Sequence, residues 1–180
     1  MKKWEVLNSE DVFSTDFLTL TNKSYRTSKG AVVDNFATVK LRDYVVVFAI
    51  TPDKKVLLVS QYKHGVDDIM TELPAGLIDA GETPAACAAR ELREETGYVA
   101  KEMEYLGAYY NSPGKIMQKA HLFLARNAVM HGKPELDENE DIKVKLVDVE
   151  KISEMMISNS LVTGACSALA AALAFKKLGI

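Results

Sequence analysis

"GLIDAGETPAACAARELREETGY", running from Gly76 to Tyr98, places Glu91, Glu94 and Glu95 at i, i+3 and i+4. An α-helix over this stretch stacks all three carboxylates on one face, and like charges at those spacings weaken a helix. The helix itself is well signalled. Thr83 is a good N-cap, Pro84 suits the first helical position, and Gly97 is placed to end the helix in a left-handed conformation. Ala85, Ala88, Ala89 and Leu92 supply a buried side small enough to lie close to a sheet. The acids crowd the C-terminal half, where the macrodipole disfavours them, and the glycine-rich loop upstream carries a fourth, Glu82. Glutamates on a helix commonly form a solvated face, with Arg90 and Glu94 as an i,i+4 pair. A divalent cation would resolve the repulsion instead. Hard ions such as Mg²⁺ take oxygen ligands and keep waters or substrate phosphates in their shell, which points to metal-assisted phosphate chemistry.

Outward from this stretch, the chain reads as an ordinary globular protein. Its 180 residues suggest one domain with room for a small appendage, and suffice for a core without disulfides. The net charge is −3, with no basic stripe or arginine-rich run, so nucleic acid is not an expected partner. Cys87 and Cys166 have no CxxC partner, which argues against zinc and fits a reducing cytoplasm; Cys87 reads as a small buried thiol. "MKKWEVLNSE" has two lysines but no apolar stretch behind them, unlike a signal peptide. Leu161 to Phe175 is too short and too rich in small residues to span a bilayer, so no membrane association is expected.

The remaining segments alternate strands with a few helices. "FLTLTNKSYRTSKGAVVDNFATVKL" has two β-rich runs around a Lys29-Gly30 turn, and "YVVVFAI" and "KVLLVSQY" flank the turn "TPDK". "EMEYLGAYY", "AHLFLAR" and "IKVKLVDV" read as further strands, and "EKISEMMI" and "SLVTGACSALAAALAFKKLG" as closing helices. The expected fold class is α+β with a mixed sheet.

The opening stretch resembles the Nudix box of the Nudix hydrolases: Gly76, five residues, Glu82, seven residues, then Arg90-Glu91-Leu92-Arg93-Glu94-Glu95-Thr96-Gly97-Tyr98. All seven invariant positions of that pattern are present; Tyr98 is bulkier and more polar than the aliphatic residue often found there. The resemblance implies a Nudix fold, a mixed β-sheet sandwiched between helices. It also implies a metal-dependent hydrolase with Mg²⁺, or Mn²⁺ as a substitute. Carried over residue by residue, Glu91 and Glu95 are implied metal ligands, and Glu94 is a ligand or a water-positioning base. Glu82 reaches a metal through water or braces the site, Arg90 holds the glutamates, and the Ala75 carbonyl is a backbone ligand.

Three further features resemble ADP-ribose and ADP-sugar pyrophosphatases. They are "QYKHGVDDIMTELPAG" before the box, "NSPG" with Pro113 fifteen residues beyond Tyr98, and the acidic "PELDENEDIKVKLVDVEKI". The β-rich N-terminus is also similar to theirs. It implies an antiparallel β extension over 1–42 that pairs two subunits into a homodimer, with the Nudix domain over 43–180. The implied substrate-binding residues are Gln61, Lys63, Arg42 and Phe36. Lys63 stands where the family commonly has arginine; lysine keeps the charge but loses the bidentate fork. Many relatives carry an acid a few residues past "SPG", near Gln118 here, so a base outside the box is expected at Glu140, then Glu138.

The implied activity is hydrolysis of ADP-ribose, or of a similar nucleoside diphosphate sugar, to AMP and a sugar phosphate. A second reading changes the substrate to GDP-mannose or an oxidised nucleotide. A third is a non-catalytic, ADP-ribose-sensing Nudix domain, although such sensors usually have a degraded box and this one is intact.

Overall fold

The longest apolar runs make the central strands. The computed structural model describes residues 1–158 and 163–180, and these divide into two compact units, Met1–Asp43 with Tyr110–Lys119, and Tyr44–Tyr109 with Ala120–Ile180.

The first unit is a four-stranded sheet. β1 (Glu5–Ser14), β2 (Leu18–Arg26) and β3 (Val32–Leu41) follow one another as an antiparallel meander. The Lys29-Gly30 turn joins β2 to β3, with Gly30 at φ 87° and the Thr27 N–H donating to the Ala31 carbonyl at 2.8 Å. The segment Tyr110–Lys119 joins this unit: its Ile116 pairs with Val39 and its Met117 with Lys40, in parallel.

The second unit holds β4 (Tyr44–Ile50), β5 (Lys55–Lys63), β6 (Asp68–Glu72) and β7 (Ala75–Leu77), then α1 (Pro84–Thr96). β8 (Tyr98–Val99) and β9 (Glu102–Tyr110) follow; the Ile116–Met117 strand of the first unit is β10. β11 (Lys119–Arg126), β12 (Val129–Met130), β13 (Lys143–Asp148), α2 (Val149–Ile157) and α3 (Ala165–Leu178) complete the chain. The main sheet runs β13-β5-β4-β11-β9, with β4 and β11 parallel and β5 and β13 antiparallel, so it is mixed. A short ladder joins β8 and β12.

Strand side chains alternate between faces, and here that alternation builds two cores. Val45, Val47, Ala49, Leu57 and Phe123 pack with Cys87, Ala88 and Leu92 of α1. Val46, Phe48, Val56, Leu58, Leu122 and Leu124 pack with Ile152 of α2 and Ala170, Ala171 and Ala174 of α3. The sheet is thus sandwiched between helices, and strands buried on both faces read as unbroken apolar runs.

Two expectations need adjustment. Ala85 and Ala89 are exposed; the inward face of α1 is Cys87, Ala88, Glu91, Leu92, Glu95 and Thr96, so the helix is rotated to carry two glutamates inward. The last helix begins at Ala165, and the first residues of the expected helix, Ser160 to Val162, lie outside the described ones. The caps of α1 are as expected: Thr83 Oγ1 accepts from the Ala86 N–H at 3.2 Å, and Gly97 sits at φ 75° with its N–H on the Arg93 carbonyl. Among the described residues no helix is long and apolar enough to cross a membrane.

Phe48 is fully buried with its ring edge-on to Phe175 at 5.6 Å. Phe48→Ala should cost about 3–5 kcal/mol, read from urea unfolding, and a loss under about 1 kcal/mol would contradict its placement in the core.

Candidate functional site

The segment between β5 and α1 shapes the site. β4 and β5 pair in register at Ile50 and Val56, next to their turn; beyond it, β6 runs along β5 and β7 along β4. β7 therefore lies inside the sheet, and α1 packs over it. The contact is close enough to exclude a side chain at position 76. A Cβ on Gly76 would fall 2.0 Å from Cδ and Oε1 of Glu91. The neighbouring Ala75 N–H donates to Oε2 of Glu95 at 2.9 Å. Glu91 and Glu95 are 9% and 3% exposed, so the solvated-face reading fails for both.

Arg90 gathers the other acids. Its Nε and one terminal nitrogen donate to the two oxygens of Glu82 at 2.9 and 3.0 Å. The other terminal nitrogen reaches Glu91 at 2.7 Å and Glu94 at 3.1 Å. The Leu77 carbonyl also accepts from the guanidinium, at 3.2 Å. Such fork geometry is peculiar to arginine.

Charge and burial then separate the carboxyls. The hydrogen bonds from Arg90 hold Glu82 down at about 2. Burial pushes Glu91 up, opposed by Arg90 and assisted by the charges of Glu94 and Glu140. Burial also pushes Glu95 up to about 8, against the Ala75 N–H and Lys63, with Glu91 and Glu140 adding to the rise. The Cys87 thiol, beneath Arg90, is pushed up to about 12 by burial and then by Glu82 and Glu91, which makes it inert.

Several contributors were not evident from sequence. Glu135 caps the end of α1: its N–H donates to the Glu94 carbonyl at 2.8 Å, and its carboxylate accepts from Arg93 at 2.6 Å. Arg93 also donates to Glu94 at 2.9 Å. Lys63 is paired with Glu72 at 2.9 Å, both on the β5–β6 hairpin. Only the acidity of "PELDENEDI" hinted at the first contact, and nothing in sequence distance pointed to the second. Glu140 acts electrostatically on Glu91 and Glu95 while its carboxylate accepts from the Asp137 N–H at 3.0 Å. Gln61, on β5 across from Met70, is half-buried. Glu138 is exposed.

Arg42 and Phe36 belong to the first unit. The Arg42 guanidinium lies 5.6 Å from the centre of the Phe17 ring, and its carbonyl accepts from Gln118 Nε2 at 2.7 Å. Phe36 meets Tyr25 edge-on, and Lys115 Nζ sits 3.7 Å over its ring.

Glu91, Glu94, Glu95 and Glu82 are the oxygen donors a hard divalent ion takes. Among the described residues no three acids, thiols or imidazoles already converge as a formed metal cage. Glu91 and Glu94 instead share Arg90. The donor set fits such an ion in kind, because two carboxylates raised chiefly by burial, and further by neighbouring acids, are stabilised by a nearby cation.

A family model, the NUDIX domain, matches residues 40–162. An ADP-ribose pyrophosphatase of Bacillus subtilis (strain 168) is 38% identical over 118 residues, 65% of this chain and 64% of its own. A methanol dehydrogenase activator of Bacillus methanolicus is 42% identical over 82 residues, 46% of this chain and 44% of its own. The match thus spans less than two thirds of either relative. A solved structure of an ADP compounds hydrolase superposes with a TM-score of 0.85 at 22% identity, over 99% of this chain and 96% of that one, and shows the shared fold.

The raised carboxyls give a signed pH dependence. Glu95 moves from 4.5 to about 8 on folding, so the native state holds a proton that the unfolded state releases in that window. The stability this contributes is complete below 4.5 and is lost as pH rises towards about 8. Glu91 adds in the same direction. Glu82, lowered from 4.5 to about 2, acts below this window and does not mask it. Chelator-treated protein should therefore unfold at lower urea at pH 8 than at pH 5.5, and Glu95→Gln should flatten that difference. An unchanged pH profile in the variant would remove Glu95 as its cause.

Proposed function

The chain belongs to the NUDIX family, and from that premise we propose that it hydrolyses the pyrophosphate bond of ADP-ribose or a related nucleoside diphosphate sugar. The products are AMP and a sugar phosphate, and Mg²⁺ is the cofactor, with Mn²⁺ as a substitute. The observation that carries this reading is the pair of buried glutamates, Glu91 and Glu95, held against Gly76 and Ala75 beneath an arginine clamp. The choice of substrate is supported by the Bacillus subtilis relative and by the segments "QYKHGVDDIMTELPAG" and "NSPG".

Glu91, Glu94, Glu95 and the Ala75 carbonyl are the proposed ligands, with Glu82 reaching the ion through water or bracing the site. A bound divalent ion offsets charge on both phosphates and lowers the pKa of a bound water. Arg90 keeps Glu82, Glu91 and Glu94 in one place, and the Ala75 N–H fixes which oxygen of Glu95 remains available. Glu140 is the proposed base, its carboxylate taking a proton from the attacking water. Lys63 is the proposed contact to the substrate phosphates or terminal ribose, with Gln61 a substrate-binding residue on the same strand; Arg42 is a proposed phosphate contact and Phe36 a proposed stacking partner of the base. Preorganised charge of this kind is worth more than the same groups would be in water.

We assign the enzyme to the cytoplasm as a homodimer paired through residues 1–42. Trp4, Val6, Val12, Phe13 and Phe17 are 47–64% exposed in the single chain, an apolar surface of the kind that subunit contacts cover.

Phosphate-monoester release from ADP-ribose, ADP-glucose, GDP-mannose, diadenosine polyphosphates and a nucleoside triphosphate, with and without Mg²⁺, tests the substrate. ADP-ribose should lead and chelator should abolish the signal; a GDP-sugar or triphosphate in the lead would replace the assignment. Glu94→Gln and Glu95→Gln should each lower kcat by on the order of 10²–10³ with the fold intact, and full activity in both would refute the site. Light scattering of an active preparation should give about twice the 19.8 kDa chain mass, and a monomeric mass would refute the pairing.

A further inference from the structure

The main sheet ends in a cavity at the edge farthest along β4 from the glutamates. Glu91 and Glu95 rest on Gly76 and Ala75, which pair with Val45 and Val46 of β4. Ile50 lies four residues beyond Val46 on the same strand, roughly 13–14 Å further at about 3.4 Å per residue. There the turn between β4 and β5, the residues closing β11, the start of α2 and the end of α3 enclose a volume of about 300 Å³. That is the lower end of the range for small-molecule sites. Hydrogen bonds tie these segments together. The Ala128 N–H donates to the Ile50 carbonyl at 2.9 Å and the Val149 N–H to the Lys54 carbonyl at 3.0 Å. The Arg126 guanidinium donates to the Lys177 carbonyl at 3.3 Å.

The floor of the cavity is apolar and its rim is polar. Ile50 and Val149 are buried and Leu178 is half-buried, and all three line it. Lys54, Asn127 and Glu150 line it from exposed positions. Among the described residues, none of these three side chains has a hydrogen bond or an ion pair. The charges around them are already engaged. Asp53 accepts from the Thr51 hydroxyl at 2.6 Å and lies 3.7 Å from Lys55, while Arg126 and Lys177 share Glu104 at 3.1 and 2.7 Å. The backbone adds a second observation. Lys54 sits at φ 60° and Asn127 at φ 54°, in the left-handed region where glycine is the unstrained residue. Asparagine tolerates that region, and lysine does so less readily. The turn "TPDK" thus keeps an ammonium at the cavity despite local strain, and such strain clusters at ligand sites.

We propose that this cavity binds a small zwitterion with an aliphatic side chain, of the class of the apolar α-amino acids. The aliphatic part rests on Ile50, Val149 and Leu178, the carboxylate meets Lys54, and the ammonium meets Glu150. Asn127 can donate to the first group or accept from the second. One unpaired cation and one unpaired anion above an apolar floor match a ligand carrying one charge of each sign. A polyanionic nucleotide fits that rim poorly, because Glu150 opposes it. The site goes beyond the proposed hydrolysis and shares no residue with it.

The test is titration calorimetry of the full chain with L-leucine in the presence of EDTA. L-leucine should bind saturably with a Kd below about 1 mM. Glycine lacks the apolar part, 4-methylpentanoate the ammonium and 3-methylbutylamine the carboxylate. Each should bind about tenfold more weakly or worse, a change of the size one lost contact gives. Lys54→Gly relaxes the turn, so it should unfold at the parent's temperature or above it while binding L-leucine about tenfold more weakly. Glu150→Gln should weaken binding likewise, and Glu95→Gln should bind as the parent does. The proposal is overturned if L-leucine does not bind saturably or if glycine or either analogue binds as tightly. It is equally overturned if Lys54→Gly or Glu150→Gln keeps full affinity, or if Glu95→Gln abolishes binding. None of these readouts requires turnover, so failure of the hydrolase reading leaves the result interpretable.

Discussion

The Glu91 carboxylate occupies the space where any residue other than glycine would carry its Cβ at position 76. Much of the second unit follows from that contact. For α1 to approach β7 so closely, the inward residues ahead of the glutamates must be small, and they are Cys87 and Ala88. For β7 to lie under the helix, β4 and β5 must part beyond their turn so that β6 and β7 can pair with them. For the helix to stop where it does, Gly97 must turn left-handed with the Gly132 carbonyl only 2.3 Å from where its Cβ would be. That last approach brings the acidic segment to the end of α1, where Glu135 binds both Arg93 and the Glu94 carbonyl.

Burying two carboxylates on one helical face is unfavourable, and the two are handled differently. Glu91 receives a guanidinium hydrogen bond of 2.7 Å; Glu95 receives one backbone N–H and is the more deeply buried. Burial dominates for Glu95, which is why its pKa climbs to about 8 while Glu82, gripped twice by Arg90, falls to about 2. Arg90 and burial thus pull the acids apart, Glu82 held down by the guanidinium and Glu91 and Glu95 raised chiefly by burial.

Most of this was legible in "GLIDAGETPAACAARELREETGY". Thr83, Pro84 and Gly97 mark the helix because capping is local chemistry, and the unbroken run "YVVVFAI" marks a central strand because both its faces are covered. The phase of α1 was less legible. Alanines at 85 and 89 look buried by composition, yet the sheet selects Glu91 and Glu95 for the inside, and no periodicity of apolar residues reports a buried glutamate. Lys63 with Glu72, and Arg93 with Glu135, depend on strand register and loop path. So does the contact of Lys115 with the Phe36 ring, because the two are far apart in sequence and are brought together only by the pairing of β10 with β3.

The identity of residue 90 matters more than its charge. A lysine there would supply a compact point charge on a flexible stem, without the fixed, planar fork of five donors. The planar guanidinium instead meets both oxygens of Glu82, one of Glu91, one of Glu94 and the Leu77 carbonyl from a single side chain. It ties the loop before α1 to the helix, and it does so with a cation that belongs to the chain. Glu82, Glu91 and Glu94 are therefore held in one network by a side chain of the polypeptide itself.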